Sequence, residues 1–208
     1  MHILWQSSFE ADWWLWVSAL LMFCGYLLVS PSDRGADGEK GSDSEGAEDQ
    51  IKSDDCIVLH AVRHAEKSTG LNPGLTDDGK GRAEALVEAL SQKKLDVIFT
   101  SEYRRCRETI GPLSQKRGIE PQVIEAADLR QQLMTLKALT PGSQVVLCGH
   151  ANTVPMLIQA LGGVCSGLEF GMLPESAYDR IYTVTFPPGG LSSIEGVEVK
   201  VWHYGRKC

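Results

Sequence analysis

Short apolar runs alternate with amphipathic segments from Cys56 onwards, and this alternation restricts the possible folds more than any other feature of the chain. The apolar runs have the composition of buried strands and cover residues 56–62, 96–100 and 145–148. Helical spacing of apolar residues predicts helices at 76–90 and 129–139, and a further helix is expected to begin at about residue 103. Because strands that alternate with helices form largely parallel sheets, the pattern predicts an α/β domain. We expect a three-layer sandwich, with a mostly parallel central sheet flanked by helices.

Local signals mark the ends of several elements. Thr76 is a good N-cap residue, and Asp77 and Asp78 place negative charge in the first turn of the helix that follows. Pro112 is expected to kink or end the second helix, because proline lacks the backbone N–H that a helix interior needs. Further segments complete the predicted domain: a brief strand at 123–124, a helix at 152–161, and alternating strands at 181–186 and 197–202.

The uncharged run 13–29 is a candidate membrane span. Its seventeen residues are at the short end of what a spanning helix needs. The basic segment and the small-residue cleavage pattern of a signal peptide are missing around it. We therefore expect residues 1–30 to carry a single-pass anchor, with a cleaved signal peptide or a buried or interfacial helix as alternatives. Arg34 and Lys40 follow the span and favour a cytoplasmic domain, whereas signal cleavage would make the protein secreted or periplasmic.

Residues 31–55 contain nine acidic and three basic residues and only one large aliphatic residue, Ile51. Such a segment cannot bury enough apolar area to offset its ordering entropy, so we expect a disordered linker, with an acidic interaction segment as the alternative. The linker carries most of the net charge of −7, and residues 56–208 are close to neutral at +1. This balance argues against a nucleic-acid-binding protein.

Arginine and histidine residues follow three of the predicted strands. Arg63 and His64 follow the first strand, Arg105 comes shortly after the second, and His150 follows the strand at 145–148. Ligands of open α/β sheets bind beyond the carboxyl ends of the strands. Arginine forks match phosphate oxygens, and helix N-termini add N–H donors for an anion. One histidine could attack phosphorus while the other donates hydrogen bonds to the developing charge, so the sequence predicts a phosphate site.

Four motifs in this order resemble those of the histidine phosphatase superfamily, which has the phosphoglycerate-mutase-like fold. They are Arg63-His64-Ala65-Glu66, Leu75-Thr76-x-x-Gly79, Ser101-x-x-x-Arg105-x-x-x-Thr109 and Gly149-His150-Ala151-Asn152-Thr153. Ala65 replaces the glycine of the first family motif, as in a subgroup with Arg-His-Ala-Glu. The segment 178–182 also resembles that subgroup, and the resemblance covers nearly all of residues 56–208.

The resemblance implies a phosphomonoester or phosphohistidine hydrolase that forms a phosphohistidine intermediate on His64. Arg63, Arg105 and His150 would hold the equatorial oxygens of the phosphoryl group, and Asn152 would contribute to the phosphate pocket. The resemblance also implies a metal-independent reaction without a cofactor, in which arginines supply the positive charge. The expected partners are phosphorylated small molecules or phosphoproteins, and a membrane through residues 13–29.

No motif identifies the proton donor to the leaving group. Glu125 and Asp128 are candidates, with plain surface roles as the alternative. Glu66 is interpreted either as a catalytic residue or as a salt-bridge partner of Arg63 or Lys67.

Only 44 residues separate Arg105 from His150, which leaves no room for a large cap, so we expect an open site. Two other functions remain open: a mutase-type phosphotransferase, and a non-catalytic phosphate-binding scaffold on a membrane tether. A cysteine phosphatase is excluded, because it needs Arg six residues after its Cys, where Pro112 and Val154 stand after Cys106 and Cys148. The six cysteines include no Cys-x-x-Cys pair, which favours buried free thiols.

Overall fold

The computed structural model describes residues 53–189 and 197–205. The helices in this part of the chain are a short 3-10 helix (Ser53–Asp55), α1 (Asp77–Ala89), α2 (Arg104–Arg117), α3 (Leu129–Lys137) and α4 (Thr153–Ala160). The strands are β1 (Ile57–Arg63), β2 (Val97–Thr100), β3 (Gln122–Val123), β4 (Gln144–Gly149), β5 (Arg180–Phe186) and β6 (Glu198–His203). The elements expected between residues 56 and 205 therefore form, within two residues of their predicted bounds except at the end of α2.

The predicted anchor at 13–29 and nearly all of the predicted linker lie outside the described residues. Among the helices that are described, none is long and apolar enough to cross a membrane. The anchor and the linker stay predictions.

The strands form one sheet in the order β3-β2-β4-β1-β5-β6. Neighbouring strands from β3 to β1 are parallel, whereas β5 is antiparallel to both β1 and β6. The α/β class is confirmed, but the sheet is mixed, and the expectation of a mostly parallel sheet holds for one side only. The path of the chain explains this difference. The segment after α4 brings the chain to the end of β1, where Ile181 at the start of β5 pairs with Val62. From there β5 runs beside β1 in the opposite direction.

Apolar side chains fill both faces of the sheet. One core cluster joins α3 and α4 to the sheet through residues such as Leu136 and Leu157, and a second joins α1 and α2 through Leu86 and Ile110. Helices therefore cover both faces, as in the predicted three-layer sandwich. Strand β1 lies between β4 and β5, and all but one of its side chains are buried, so the residues after β1 start from a rigid support.

Two local expectations have different outcomes. Thr76 caps α1 as predicted, because its Oγ1 accepts a hydrogen bond from the Gly79 N–H at 3.1 Å. Pro112, in contrast, does not end α2, which continues to Arg117. The buried side chains of Ile110 and Leu113 on either side of the proline hold this part of the helix against the sheet, which outweighs the lost backbone hydrogen bond.

Candidate active site

The sheet order brings the predicted catalytic residues to one edge. Strand β4 lies between β1 and β2, and Arg63 at the end of β1 is level with Gly149 at the end of β4. Thr100 at the end of β2 is level with Cys148. His64, Ser101 and His150 each follow directly on one of these strand ends and are all buried. The centroids of the His64 and His150 rings are 5.4 Å apart.

His64 is held as a neutral ring with one free nitrogen. Its Nδ1 lies 2.8 Å from the carbonyl oxygen of Ala65. Because a carbonyl only accepts hydrogen bonds, Nδ1 carries the proton, and Nε2 keeps its lone pair. Burial lowers the pKa of His64 to about 3; the Ala65 hydrogen bond opposes this shift, and the nearby side chains of Arg63, His150 and Arg105 add to it. His64 is thus an unprotonated nucleophile over the whole neutral range.

Arg63 is held by the loop that precedes β5. Its Nη1 donates to the carbonyl oxygens of Pro174 at 2.8 Å and Glu175 at 3.2 Å. Its Nη2 donates to the Glu175 carboxylate at 2.9 Å and to the Tyr178 hydroxyl at 3.3 Å. The guanidinium carbon also lies 4.2 Å from the centre of the Tyr178 ring. The buried Nε–H of Arg63 has no hydrogen-bond partner among the described residues, so one donor is left for a ligand.

Arg105 and His150 orient each other. Arg105 Nη2 lies 3.2 Å from His150 Nδ1, and since a guanidinium only donates, Nδ1 accepts. The proton of the neutral ring is then on Nε2, which donates to Ser101 Oγ at 3.1 Å. Arg105 also lies over the Tyr103 ring, 4.4 Å from its centre, and its buried Nε–H is unpartnered within residues 53–189 and 197–205. Both arginines therefore carry a buried, unsatisfied donor, which suits an anion.

Thr109 ties the nucleophile to the helix that carries Arg105. Its hydroxyl donates to the Arg105 carbonyl oxygen at 2.7 Å and accepts the Ala65 N–H at 2.9 Å. Thr109 is fully buried, so the two hydrogen bonds are protected from water. The spacing Ser-x-x-x-Arg-x-x-x-Thr thus joins three residues of one site.

Glu66 forms an ion pair with Arg82, a partner that we did not expect. Its carboxylate accepts hydrogen bonds from Arg82 Nε at 2.7 and 2.9 Å, and Arg82 Nη2 lies 2.6 Å from its Oε1. Arg82 is on α1, so this pair joins the helix to the segment after His64. The backbone of α1 also comes very close to this segment: a Cβ on Gly79 would lie only 2.1 Å from the Glu66 carbonyl oxygen. This contact explains the glycine of the second motif.

The other predicted site residues lie at the surface. Asn152 precedes α4 with an exposed side chain that makes no capping hydrogen bond, whereas the next residue, Thr153, accepts the His150 N–H at 2.9 Å. Asp128 caps α3 by accepting the Gln131 N–H at 2.8 Å, which gives its carboxylate a local structural role. Glu125 is exposed.

Sequence reasoning missed Glu175, whose carboxylate accepts a hydrogen bond from Arg63 at the site. It lies just before the segment 178–182 that resembles the family subgroup, but nothing in Pro174-Glu175-Ser176 marks it as a site residue. Among the described residues, no three His, Cys, Asp or Glu side chains are grouped so that they could hold a metal ion.

Comparisons with known proteins find one family model and a set of solved structures with a similar fold. Residues 59–131 match the family model described as "Histidine phosphatase superfamily (branch 1)". No curated protein sequence matches the chain. The solved structure of the protein histidine phosphatase SixA complexed with tungstate is similar, with a TM-score of 0.56 and 16% sequence identity, over 71% of this chain and 96% of that chain. A putative phosphohistidine phosphatase SixA from Nakamurella multipartitia has a TM-score of 0.51 and 22% identity, over 72% of this chain and 96% of that chain.

Proposed function

We propose that this chain, a member of the histidine phosphatase superfamily, hydrolyses phosphate monoesters or phosphohistidine through a covalent intermediate on His64. The observation that carries the proposal is the state of the His64 ring. Its Nδ1 proton is bound to the Ala65 carbonyl, so the lone pair of Nε2 is free beside two arginines with unsatisfied donors. That combination of a neutral nucleophile and an anion-binding pocket is what transfer of a phosphoryl group to nitrogen requires.

In the first step, the lone pair of His64 Nε2 forms a bond to phosphorus while the bond from phosphorus to the leaving group breaks. The free donors of Arg63 and Arg105, with the Nε2–H of His150, would stabilise the charge on the equatorial oxygens. The leaving group departs with the electron pair of the broken bond and takes a proton from solvent. In the second step, water attacks phosphorus and passes a proton to solvent, the P–N bond breaks, and its electron pair returns to His64 Nε2. The Nδ1 hydrogen bond to Ala65 persists through both steps and spreads the positive charge that the ring gains.

We propose that this reaction needs no metal ion, since two guanidinium groups already face the nucleophile. Activity is then expected to be unchanged after exhaustive dialysis against EDTA. The natural substrate is proposed to be a phosphoprotein or a range of small phosphates, in keeping with the short segment between Arg105 and His150. Attachment to a membrane through residues 13–29, with the domain on the cytoplasmic side, is a separate proposal that rests on the sequence.

The test is hydrolysis of p-nitrophenyl phosphate by the full chain and by its His64→Ala variant. The parent chain should hydrolyse the ester, and kcat of the variant should be at least about 10³-fold lower. Rapid quenching at alkaline pH, where phosphohistidine is stable, should trap phosphate on His64 of the parent. Far-UV circular dichroism checks that the variant is folded. No turnover by the parent, with phosphate binding retained, would instead support the scaffold, and equal turnover by both proteins would contradict the role of His64.

A further inference from the structure

We infer that Glu175 is a built-in competitor of the substrate: its carboxylate occupies an N–H of Arg63 that an incoming phosphoryl group takes over. The inference rests on the proposed function in one respect, namely that Arg63 binds phosphate. It concerns how tightly the site holds phosphate and how readily it releases the product.

The hydrogen bonds of Arg63 provide the first argument. A guanidinium has five N–H donors, and four of those of Arg63 point to the loop before β5. Three of these four go to the Pro174 and Glu175 carbonyl oxygens and the Tyr178 hydroxyl, which are neutral acceptors. The fourth goes to the Glu175 carboxylate at 2.9 Å, the contact geometry that a phosphate oxygen would also adopt. Only the free Nε–H and this Nη2–H are therefore open to an anionic ligand.

Exposure provides the second argument. The Arg63 side chain is 3% exposed, whereas that of Glu175 is 88% exposed. The carboxylate itself loses little when it leaves for water, because it is already almost fully solvated. Arg63 keeps its place when the carboxylate leaves, since two backbone carbonyls and the Tyr178 ring still hold it. The pair can thus open without disturbing the pocket.

Charge provides the third argument. The hydrogen bond and charge of Arg63 lower the pKa of Glu175, and the charge of Lys67 lowers it further, although burial opposes the shift. Glu175 is therefore ionised at neutral pH and places a negative charge beside the nucleophile. The exposed Lys67 offers the displaced carboxylate a second cation, so the charge stays near the pocket. Phosphate must displace this charge to bind and is repelled by it afterwards, which favours release of the product.

The experiment is a titration of the full chain with inorganic phosphate, followed by isothermal calorimetry and, independently, by competitive inhibition of p-nitrophenyl phosphate hydrolysis. Glu175→Gln keeps the shape of the side chain and removes its charge. We expect it to bind phosphate about two- to fivefold more tightly than the parent, the range of an exposed ion pair. Glu169→Gln, an exposed glutamate of the same loop, is the matched control and should bind as the parent does.

Unchanged or weaker phosphate binding by a folded Glu175→Gln chain would overturn the inference and assign the carboxylate to positioning Arg63. Tighter binding by the Glu169→Gln control as well would also overturn it, because a general charge effect would then suffice. Calorimetry needs no turnover, so a parent that binds phosphate without hydrolysing an ester contradicts the proposed function alone. A parent that neither binds phosphate nor turns over contradicts both.

Discussion

Two arginine–glutamate pairs lie on either side of the segment that follows β1, and they differ in how far water reaches the carboxylate. In the Arg82–Glu66 pair, the side chains are 6% and 16% exposed. In the Arg63–Glu175 pair, the arginine is equally buried but the glutamate is almost fully exposed. A buried charge depends strongly on its partner, whereas an exposed one has water as a substitute. The first pair therefore holds α1 in place, and the second can exchange its carboxylate for a ligand.

The largest effect is expected at the buried pair. Glu66→Ala removes the carboxylate that faces the buried Arg82 guanidinium and should lower the free energy of unfolding by about 3–5 kcal/mol. Urea denaturation of the full chain, followed by circular dichroism, measures this loss. A loss below about 1 kcal/mol would mean that the Arg82–Glu66 pair stabilises the fold no more than a surface ion pair does, which would contradict the difference drawn between the two pairs.

Exchanging the two arginines for methionine separates function from structure. Arg63→Met should reduce kcat/KM by about 10²–10³-fold, because a donor to the transition-state charge is removed. Arg82→Met should lower stability instead and keep kcat/KM within about tenfold at a temperature where the chain is folded. Steady-state kinetics and thermal melts of both variants provide the two measurements. Comparable activity losses would mean that Arg82 also takes part in the reaction.

Acidification tests the buried histidines of the same region. Burial lowers the pKa of His64 to about 3 and that of His60 to about 4, with Lys93 adding to the shift of His60. Below pH 6.5 both rings bind protons in the unfolded chain but not in the folded chain. The contribution of the two histidines to the free energy of unfolding is therefore fully present above pH 6.5 and is lost as the pH falls. We expect a loss of about 1 kcal/mol for each histidine between pH 6.5 and 5.5. Unfolding free energies that do not change over this interval would contradict the assigned neutral rings.

The smallest effect on stability is expected at the exposed pair. Glu175→Gln should change the free energy of unfolding by less than about 1 kcal/mol, because the amide oxygen of the new side chain can still accept the Arg63 N–H and three neutral acceptors stay in place. The urea denaturation used for Glu66→Ala gives the matching value. If both glutamate variants lose the same stability, exposure does not decide the role of these pairs.

The strand-end residues of the site could be predicted from the sequence because two general rules apply to them. Parallel strands bring their carboxyl ends to one edge, and His64, Arg105 and His150 are polar residues placed just beyond such ends. The direction of β5 was not predictable in this way, since an alternating apolar pattern is the same for parallel and antiparallel neighbours. Pro112 shows that packing against the sheet can outweigh a strong local preference.

Glu175 is a site contact that the sequence could not predict. It is 112 positions from Arg63 in the sequence and lies in a loop without periodicity, so neither spacing nor pattern connects the two. Asp128 has the residue type expected of a proton donor, but its carboxylate caps α3. Glu125 and Asp128 stay candidates that rest on residue type, whereas the Glu175 contact depends on how the chain returns to β1.

The orientation of His64 comes from a main-chain oxygen, and this has a consequence for how the sequence can vary. Any residue at position 65 supplies the same carbonyl, so the nucleophile does not depend on the identity of that side chain. The Ala65 methyl group is fully buried against Leu75 and Ala83, which restricts the position by volume. Mutational drift between alanine and glycine is then nearly silent for catalysis, and a saturation library at position 65 should rank its members by side-chain size.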